Sequence, residues 1–526
     1  MYKSSLFKLF GWALLCLSAS CVRSQPQIIV VTSPAEPIAQ FPTSVDSFPT
    51  AGTQLALSPV PGLPLITPTP DATRIISSLS VATEYTVQPG DTLSGIATAN
   101  GISLEMLLSA NNFPDPNALS VGQVINLPAP PKDQTPDFKI IPDSRLVRAP
   151  GSKSFDVDSF VRQQPGYIHL ATDVVSDQLL TASEVVQRVS LEYSVDARLL
   201  LALLEYKSSW LTQLEHDDTA KLYPMEGQAS PPGFDRFGLY RQLAWAANQL
   251  NAGYYGWKYR AWTTVEFEDG IRLLYAPGLN AGTVAVQYFL SQNTSYASWE
   301  QSVSVAGLYR TYVAYFGDPF SSVIDPLIPP SLFQPTLTLP FLQGQTWLFT
   351  GGWHGGWGSG SAWSAVDFAP PDDHPEGSPL CYISDNWATA VAPGVIARSR
   401  EGSVILDLDM DGDESTGWTI LYLHMATDGR APEGATVSPG DLIGKPSCEG
   451  GFSNATHIHI ARRYNGEWIP VFCDLCQPGF ETPPFVMSGW TFYGLTNQEY
   501  QGYMTNGSDQ RTAEQGRLTS INQVSW

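Results

Sequence analysis

Residues 456–460 read Thr-His-Ile-His-Ile. Alternating polar and apolar side chains is the period of a β-strand, in which residues two apart share a face. His457 and His459 therefore enter one site, and the chain must build a β domain around them. His424 ends a second apolar strand, Thr419-Ile420-Leu421-Tyr422-Leu423. Asp367 is the one polar side chain in Ala365-Val366-Asp367-Phe368-Ala369. A carboxylate among apolar neighbours must be paired or bind a cation. Two histidines and a carboxylate with one open position form a set typical of zinc. From about residue 335 onward, short strands alternate with Gly turns, so 335–526 reads as an all-β domain. His374 lies in the polar loop Pro-Pro-Asp-Asp-His-Pro-Glu-Gly and reads as solvated.

The remaining sequence limits the partners. The 526 residues carry 28 Lys+Arg against 50 Asp+Glu, a net charge of −22, which argues against nucleic acid as the main partner. Hydrophobic residues reach 43%, so most of the chain can bury cores and a fully disordered chain is excluded. This length suggests about three domains with linkers.

The N-terminus has Lys3 and Lys8 ahead of an apolar run from Leu9 to Ala19, with small residues before Cys21. This is the pattern of an export signal over residues 1–21. Cys21 after small residues resembles a bacterial lipoprotein site, although Ser18 stands where an aliphatic residue is usual. Lipidation of Cys21 and simple secretion stay open, and the membrane is a partner only through that signal or anchor. The last third holds Cys381, Cys448, Cys473 and Cys476. An even number in an exported chain points to disulfides. Sequence does not choose among the three pairings. Cys381–Cys448 with Cys473–Cys476 is the favoured one, and a CxxC can also hold zinc.

Residues 22–83 are rich in Pro, Ser and Thr and read as a linker. Residues 84–129 change character. A strand at Tyr85-Thr86-Val87 leads into the turn Pro89-Gly90-Asp91-Thr92, which caps a helix bearing Leu93, Ile96 and Ala97. A second helix, capped by Ser103, carries Leu104, Leu107 and Leu108, and Val124-Ile125-Asn126-Leu127 closes the unit. The PGDTLSGIA and GQVINLP segments resemble a LysM domain, which implies a βααβ fold and binding to N-acetylglucosamine-containing glycans such as peptidoglycan. Residues 130–154 read as another linker.

Residues 155–330 read as mostly helical, with helices at Leu200–Leu204, Trp245–Leu250, Val284–Leu290 and Val303–Phe316, interrupted by turns such as Ser230-Pro231-Pro232-Gly233. The stretch 199–212 resembles the lysozyme-like fold of lytic transglycosylases. Lys207 stands at the position of that family's catalytic Glu, and Lys cannot be the neutral acid that glycoside cleavage needs. Glu205 is two residues away on another helix face. The expectation is a non-catalytic domain in which Trp210, Trp245, Tyr254, Tyr255 and Trp257 either fill the core, the commoner fate of such aromatics, or cradle glycan strands.

In the C-terminal domain, SAVDFAP (364–370), AVAPGVIA (390–397), LYLHM (421–425), VSPGDLIG (437–444) and THIHI (456–460) resemble the lysostaphin-type, LytM-like zinc metallopeptidases. The resemblance implies a β-sandwich of the duplicated hybrid motif and hydrolysis of peptide cross-bridges in peptidoglycan. The family's usual first ligand lies four residues before the Asp, where this chain has Trp363. His354, thirteen residues before Asp367 in a Gly-rich stretch, resembles the beta-lytic subgroup. The resemblance thus implies His354, Asp367 and His459 as zinc ligands, and His424 and His457 as the histidines acting on water and the tetrahedral intermediate. Members that lose ligands can act as amidase activators, which is the rival expectation.

Asp407, Asp409, Asp411 and Asp413 alternate at a hairpin tip, with Gly412 between the last two and Glu414 following. Clustered acids repel unless a cation neutralises them. The pattern resembles the first half of an EF-hand loop, but the twelfth position is Trp418 rather than Glu, so the expectation is calcium outside an EF-hand. The whole chain is expected to be exported to the bacterial envelope or beyond.

Overall fold

The computed structural model describes residues 83–100, 102, 104–111, 113, 119–127, 134–230, 235–371, 379–516 and 521–526. The expected signal with Cys21, the linker up to residue 82, Ser103, Pro231–Gly233 and His374 lie outside them. Among the described residues, no helix is long and apolar enough to cross a membrane.

Strand β1 (Thr83–Thr86) pairs antiparallel with β2 (Val124–Leu127) around two short helices, Leu93–Ala99 and Leu104–Ser109. The Thr92 hydroxyl accepts from Gly95 N at 3.0 Å and caps the first helix. Its core is Leu93, Ile96, Ala97, Leu104, Leu107, Ile125 and Leu127, and Leu475 from the distant CxxC loop packs into it.

The helical body begins earlier than the sequence suggested. Ile140, Ile141, Leu146, Val147 and Ala149 are buried in its core, so much of the expected 130–154 linker is packed chain. Pro and charge in this stretch mask five apolar anchors. Helices α1 (Ala182–Tyr193), α2 (Ala197–Ser208), α3 (Leu239–Tyr259) and α4 (Ala281–Ser291) dominate. Thr181 and Glu184 form a capping box at α1, and the Asp196 side chain caps α2. The expected helix over Val303–Phe316 starts only at Leu308; Gly307 precedes it, in a turn.

Beyond residue 321 the described chain is strands and loops. The main sheet contains β3 (Trp347–His354), β4 (Ala365–Ala369), β5 (Gly394–Arg400), β6 (Ser403–Asp407), β7 (Trp418–Leu423) and β8 (Ile458–Tyr464). Their order across the sheet is β5-β6-β7-β8-β4-β3, all antiparallel, with short strands at both edges. Both faces are covered. Val366, Phe368, Val404, Leu406, Ile420, Tyr422 and Ile460 face a core shared with the smaller C-terminal sheets. Ala365, Ile405, Leu421, Leu423 and Ala461 face the opposite way, into the core of the helical body. This two-sided burial makes the helical body and the sheet one packed unit.

Polar groups cross the same interface. Glu467, fully buried, accepts from Lys258 Nζ at 2.6 Å, Tyr259 Oη at 2.6 Å and Tyr254 Oη at 3.0 Å. Nearby, the buried Glu414 receives Arg398 Nε at 2.8 Å and Arg463 Nη2 at 2.7 Å. Burial raises the Glu414 carboxyl, but the Arg398, Arg463 and Arg148 charges outweigh it and hold the group well below its usual range.

Candidate metal centre

The sheet register brings the expected residues into one row. Leu423 faces His459, His459 faces Asp367, and Asp367 faces Gly351 across four strands. Asp367 and His459 share the face with Ala365 and Ala461, which is the side covered by the helical body. Two register shifts in β3 flank Gly351 and turn His354 inward next to them. A Cβ on Gly351 would collide with the Asp367 carboxylate, so glycine is required there.

Each imidazole is held by a backbone carbonyl. His354 Nδ1 donates to Gly352 O at 2.7 Å, and His459 Nε2 donates to Gly356 O at 3.0 Å. His424 Nδ1 donates to Glu449 O at 3.1 Å, and His457 Nδ1 to Ala455 O at 2.7 Å. His354 thus turns the lone pair of Nε2, and His459 that of Nδ1, toward the centre. Those two nitrogens lie 2.9 Å apart, and lie 3.2 and 3.4 Å from Asp367 Oδ1. Asp367 Oδ1 is buried and accepts no well-aligned hydrogen bond. Two lone pairs and a carboxylate oxygen meeting in a buried spot repel unless a cation joins them. Ligands at about 2.0–2.2 Å from a tetrahedral ion stand about 3.3 Å apart, so the three edges suit zinc. His354, Asp367 and His459 are all buried.

His424 and His457 flank this trio, with ring centroids 4.6 Å apart and His457 Nε2 3.6 Å from Asp367 Oδ1. His424 sits in the left-handed region at φ 66°, just past β7. Its carbonyl is pinned by Ser447 N at 2.7 Å and Ser447 Oγ at 3.0 Å. A strained backbone held by its surroundings is common at functional sites. Burial, then repulsion from His457 and His459, holds the His424 imidazole well below its ordinary value, so it is neutral. Burial likewise lowers His459. Burial also pulls on His354, but the Asp367 charge outweighs it and leaves that ring above its usual value. For Asp367, burial raises the carboxyl, but His354 and His457 outweigh it and hold it well below the carboxylate range.

Several residues of this site carry no signal in their local sequence. Tyr500 stacks on His354 with centroids 4.4 Å apart, is 45% exposed, and has φ 66°. Gly351, Gly356 and the Glu449 carbonyl act by position alone. Trp363, at the family's usual ligand position, is buried in a T-shaped contact with Trp353 at 4.9 Å, with Arg260 over its ring at 4.0 Å.

Other expected residues fall elsewhere. The carboxylates of Asp407, Asp409 and Asp411 gather within 4.8 Å, while Asp413 turns to Ser415 N and Oγ. Burial, then the hydrogen bond with Asp409, pushes Asp407 up to about 7. Cys381 and Cys448 form a disulfide, as do Cys473 and Cys476. Cys448 immediately precedes Glu449, whose carbonyl holds His424. The candidate glycan-cradling aromatics do not form a surface. Trp210, Tyr254, Tyr255 and Trp257 are buried in the core, and Trp245 packs half-buried against Phe289. Helix α3 faces the sheet, so its aromatics fill an interface. Glu205 caps the end of α2 by accepting from Leu211 N at 2.9 Å and Thr212 Oγ1 at 2.7 Å.

Comparison with known proteins follows this division. Residues 85–128 match the model of the LysM domain, and residues 139–329 match that of the LasA N-terminal domain. The chain resembles the LytM-like metallopeptidases and carries a LysM domain. The LasA match spans the helical body and part of the segment that composition suggested was a linker. The chain is 55% identical over 49 residues to the N-acetylmuramoyl-L-alanine amidase XlyB of Bacillus subtilis, and 42% identical over 59 residues to XlyA of the same organism. Those matches cover 9% and 11% of this chain, which spans only 16% and 20% of the two amidases. Among solved structures, the M23 metalloprotease pseudoalterin is 25% identical, covers 34% of this chain and 96% of its own, and has a TM-score of 0.26. The catalytic domain of lysostaphin from Staphylococcus simulans is 20% identical over 24% of this chain and 87% of its own, with a TM-score of 0.17.

Proposed function

We propose that this chain is an exported zinc metalloendopeptidase that hydrolyses peptide cross-bridges of peptidoglycan and is held to the glycan by its LysM domain. One observation carries the reading: the lone pairs of His354 and His459 converge on a buried Asp367 oxygen with spacings that suit a tetrahedral ion. His354 Nε2, Asp367 Oδ1 and His459 Nδ1 would hold the zinc. When bound, zinc lowers the pKa of water and polarises the scissile carbonyl.

The chain's own residues then do the proton work. His424 is neutral and its Nδ1 proton is committed to Glu449, so Nε2 can accept a proton from the attacking water. The imidazolium so formed returns that proton to the departing amine. His457, fixed through Ala455 and 4.6 Å from His424, donates toward the developing oxyanion from its remaining nitrogen when protonated. Covering the buried face with the helical body limits bulk water around these groups.

The Asp407, Asp409 and Asp411 cluster belongs to the same proposal as a calcium site that stiffens the hairpin leading to β7 and His424. Purified peptidoglycan separates the readings. New amines with no new reducing ends support the endopeptidase, and new reducing ends point to glycan cleavage. Wall binding without either product leaves a binding or amidase-activating protein.

A further inference from the structure

The loop that follows His354 is clamped by the helical body. Asn248, on α3, accepts from Gly360 N through Oδ1 at 2.8 Å and donates from Nδ2 to Ser359 Oγ at 3.2 Å. A Cβ on Gly360 would overlap the Asn248 carbonyl, so loop and helix touch backbone to backbone. A Cβ on Gly358 would meet both Asn248 Oδ1 and the Tyr193 ring at the end of α1, so the loop packs on a second helix there. Inside the loop, Ser361 Oγ donates to Gly358 O at 3.0 Å and accepts from Trp357 N at 3.1 Å. The loop's first turn ends at Gly356 O, which receives the His459 Nε2 proton at 3.0 Å. Gly356 N in turn donates to Ala362 O at 3.1 Å.

We propose that Asn248 is a positioning residue of the metal centre. It holds the 355–361 loop in the one shape that presents the Gly356 carbonyl to His459. That carbonyl keeps the proton on Nε2 and the lone pair on Nδ1, where a metal needs it. The inference deepens the proposed function and rests on it. It assigns the helical body a working part in the site: losing the group that orients a ligand's ring typically alters metal affinity by about 10–100-fold, and Asn248 acts on that group, the Gly356 carbonyl, through the loop. The contact is specific because glutamine at 248 would be one methylene too long for a backbone-to-backbone approach, and alanine would leave Gly360 N and Ser359 Oγ without their side-chain partner.

The test uses the full chain and the variants Asn248→Ala, Asn248→Asp and Ser359→Ala. Three readouts are needed: zinc affinity by chelator competition, amide exchange of residues 355–361 in zinc-free protein, and the ¹⁵N shifts of the His459 ring in zinc-free protein. Asn248→Ala should weaken zinc by about tenfold, the lower end of that range, expose the Gly360 amide, and convert His459 from the Nε2–H form to a tautomer mixture, with the thermal midpoint nearly unchanged. Asn248→Asp keeps the acceptor for Gly360 N and should retain most of the protection and affinity. Ser359→Ala leaves α3 intact and should give a smaller change in the same direction, which keeps the test usable if Asn248→Ala unfolds. An unchanged His459 tautomer and zinc affinity with an exposed Gly360 amide would overturn the proposal. So would a loss of affinity that merely follows global destabilisation. Wild-type protein that binds no zinc would overturn the proposed function, and the His459 tautomer would still judge the Asn248 clamp.

Discussion

Replacing Glu467 with alanine should cost this fold about 3–5 kcal/mol. The carboxylate is fully buried, and its partner Lys258 is only 4% exposed. Removing one member of such a pair leaves a buried charge uncompensated, which is the source of that range. Tyr259 also loses its Glu467 acceptor, and the cost of about 1–3 kcal/mol for an orphaned buried hydroxyl places the total toward the upper end of that range. Three contacts soften the loss. Lys258 Nζ lies over the rings of Tyr254 at 4.9 Å and Phe480 at 5.0 Å, and Tyr254 keeps Asp143 Oδ2 at 3.2 Å. Urea unfolding followed by both tryptophan fluorescence and far-ultraviolet dichroism measures the effect. The helical body and the sheet should unfold together in the parent, because one core contains side chains of both. The double variant Glu467→Leu, Lys258→Met should recover most of the loss, since apolar replacement of a buried pair is near neutral. A cost under about 1 kcal/mol for Glu467→Ala, or separate transitions for the two bodies in the parent, would refute the single-unit account.

Three further outcomes are expected. Gly351→Ala should abolish zinc binding while leaving the β-rich dichroism intact, because the new Cβ meets the Asp367 carboxylate; full zinc content in that variant would contradict the row Gly351–Asp367–His459. Without calcium, the Asp407 contribution to stability should fall as pH rises from its ordinary 3.8 toward about 7, since the folded state holds that proton more tightly than the unfolded chain. Asp407→Asn should remove this slope, and millimolar calcium should raise the wild-type midpoint at pH 8 but not that of the variant; equal midpoints with and without calcium would remove the calcium site. Reducing the Cys381–Cys448 disulfide should slow amine release while leaving zinc bound, because Glu449, next to Cys448, holds His424 and not a ligand; unchanged turnover would disconnect the disulfide from His424.

The candidate site was largely legible because its strands obey a period of two. Histidines two apart in 456–460 and a lone carboxylate in 365–369 must share a face, and the register sets His459 opposite Asp367. His354 was legible only through a resemblance, since two register shifts in β3 decide where it points. Tyr500 and Asn248 lie more than 100 residues in sequence from the group each contacts, so no local pattern announces them. The 130–154 stretch was misread because composition weighs its prolines and charges and ignores that Ile140, Ile141, Leu146 and Val147 each find a core. The aromatics of α3 read as core more readily than as a glycan surface, and they are core, but the sequence did not say what they pack against. Their spacing shows a helix but not which surface it meets, and here it meets a sheet.

The central claim is a zinc ion held by His354, Asp367 and His459. Zinc per chain, measured on purified full-length protein and on Asp367→Ala, tests it most directly. The account predicts one zinc per wild-type chain and none in the variant, with the unfolding transition of the variant still cooperative. Zinc-free wild-type protein, or an Asp367→Ala variant that retains its full zinc, would contradict it.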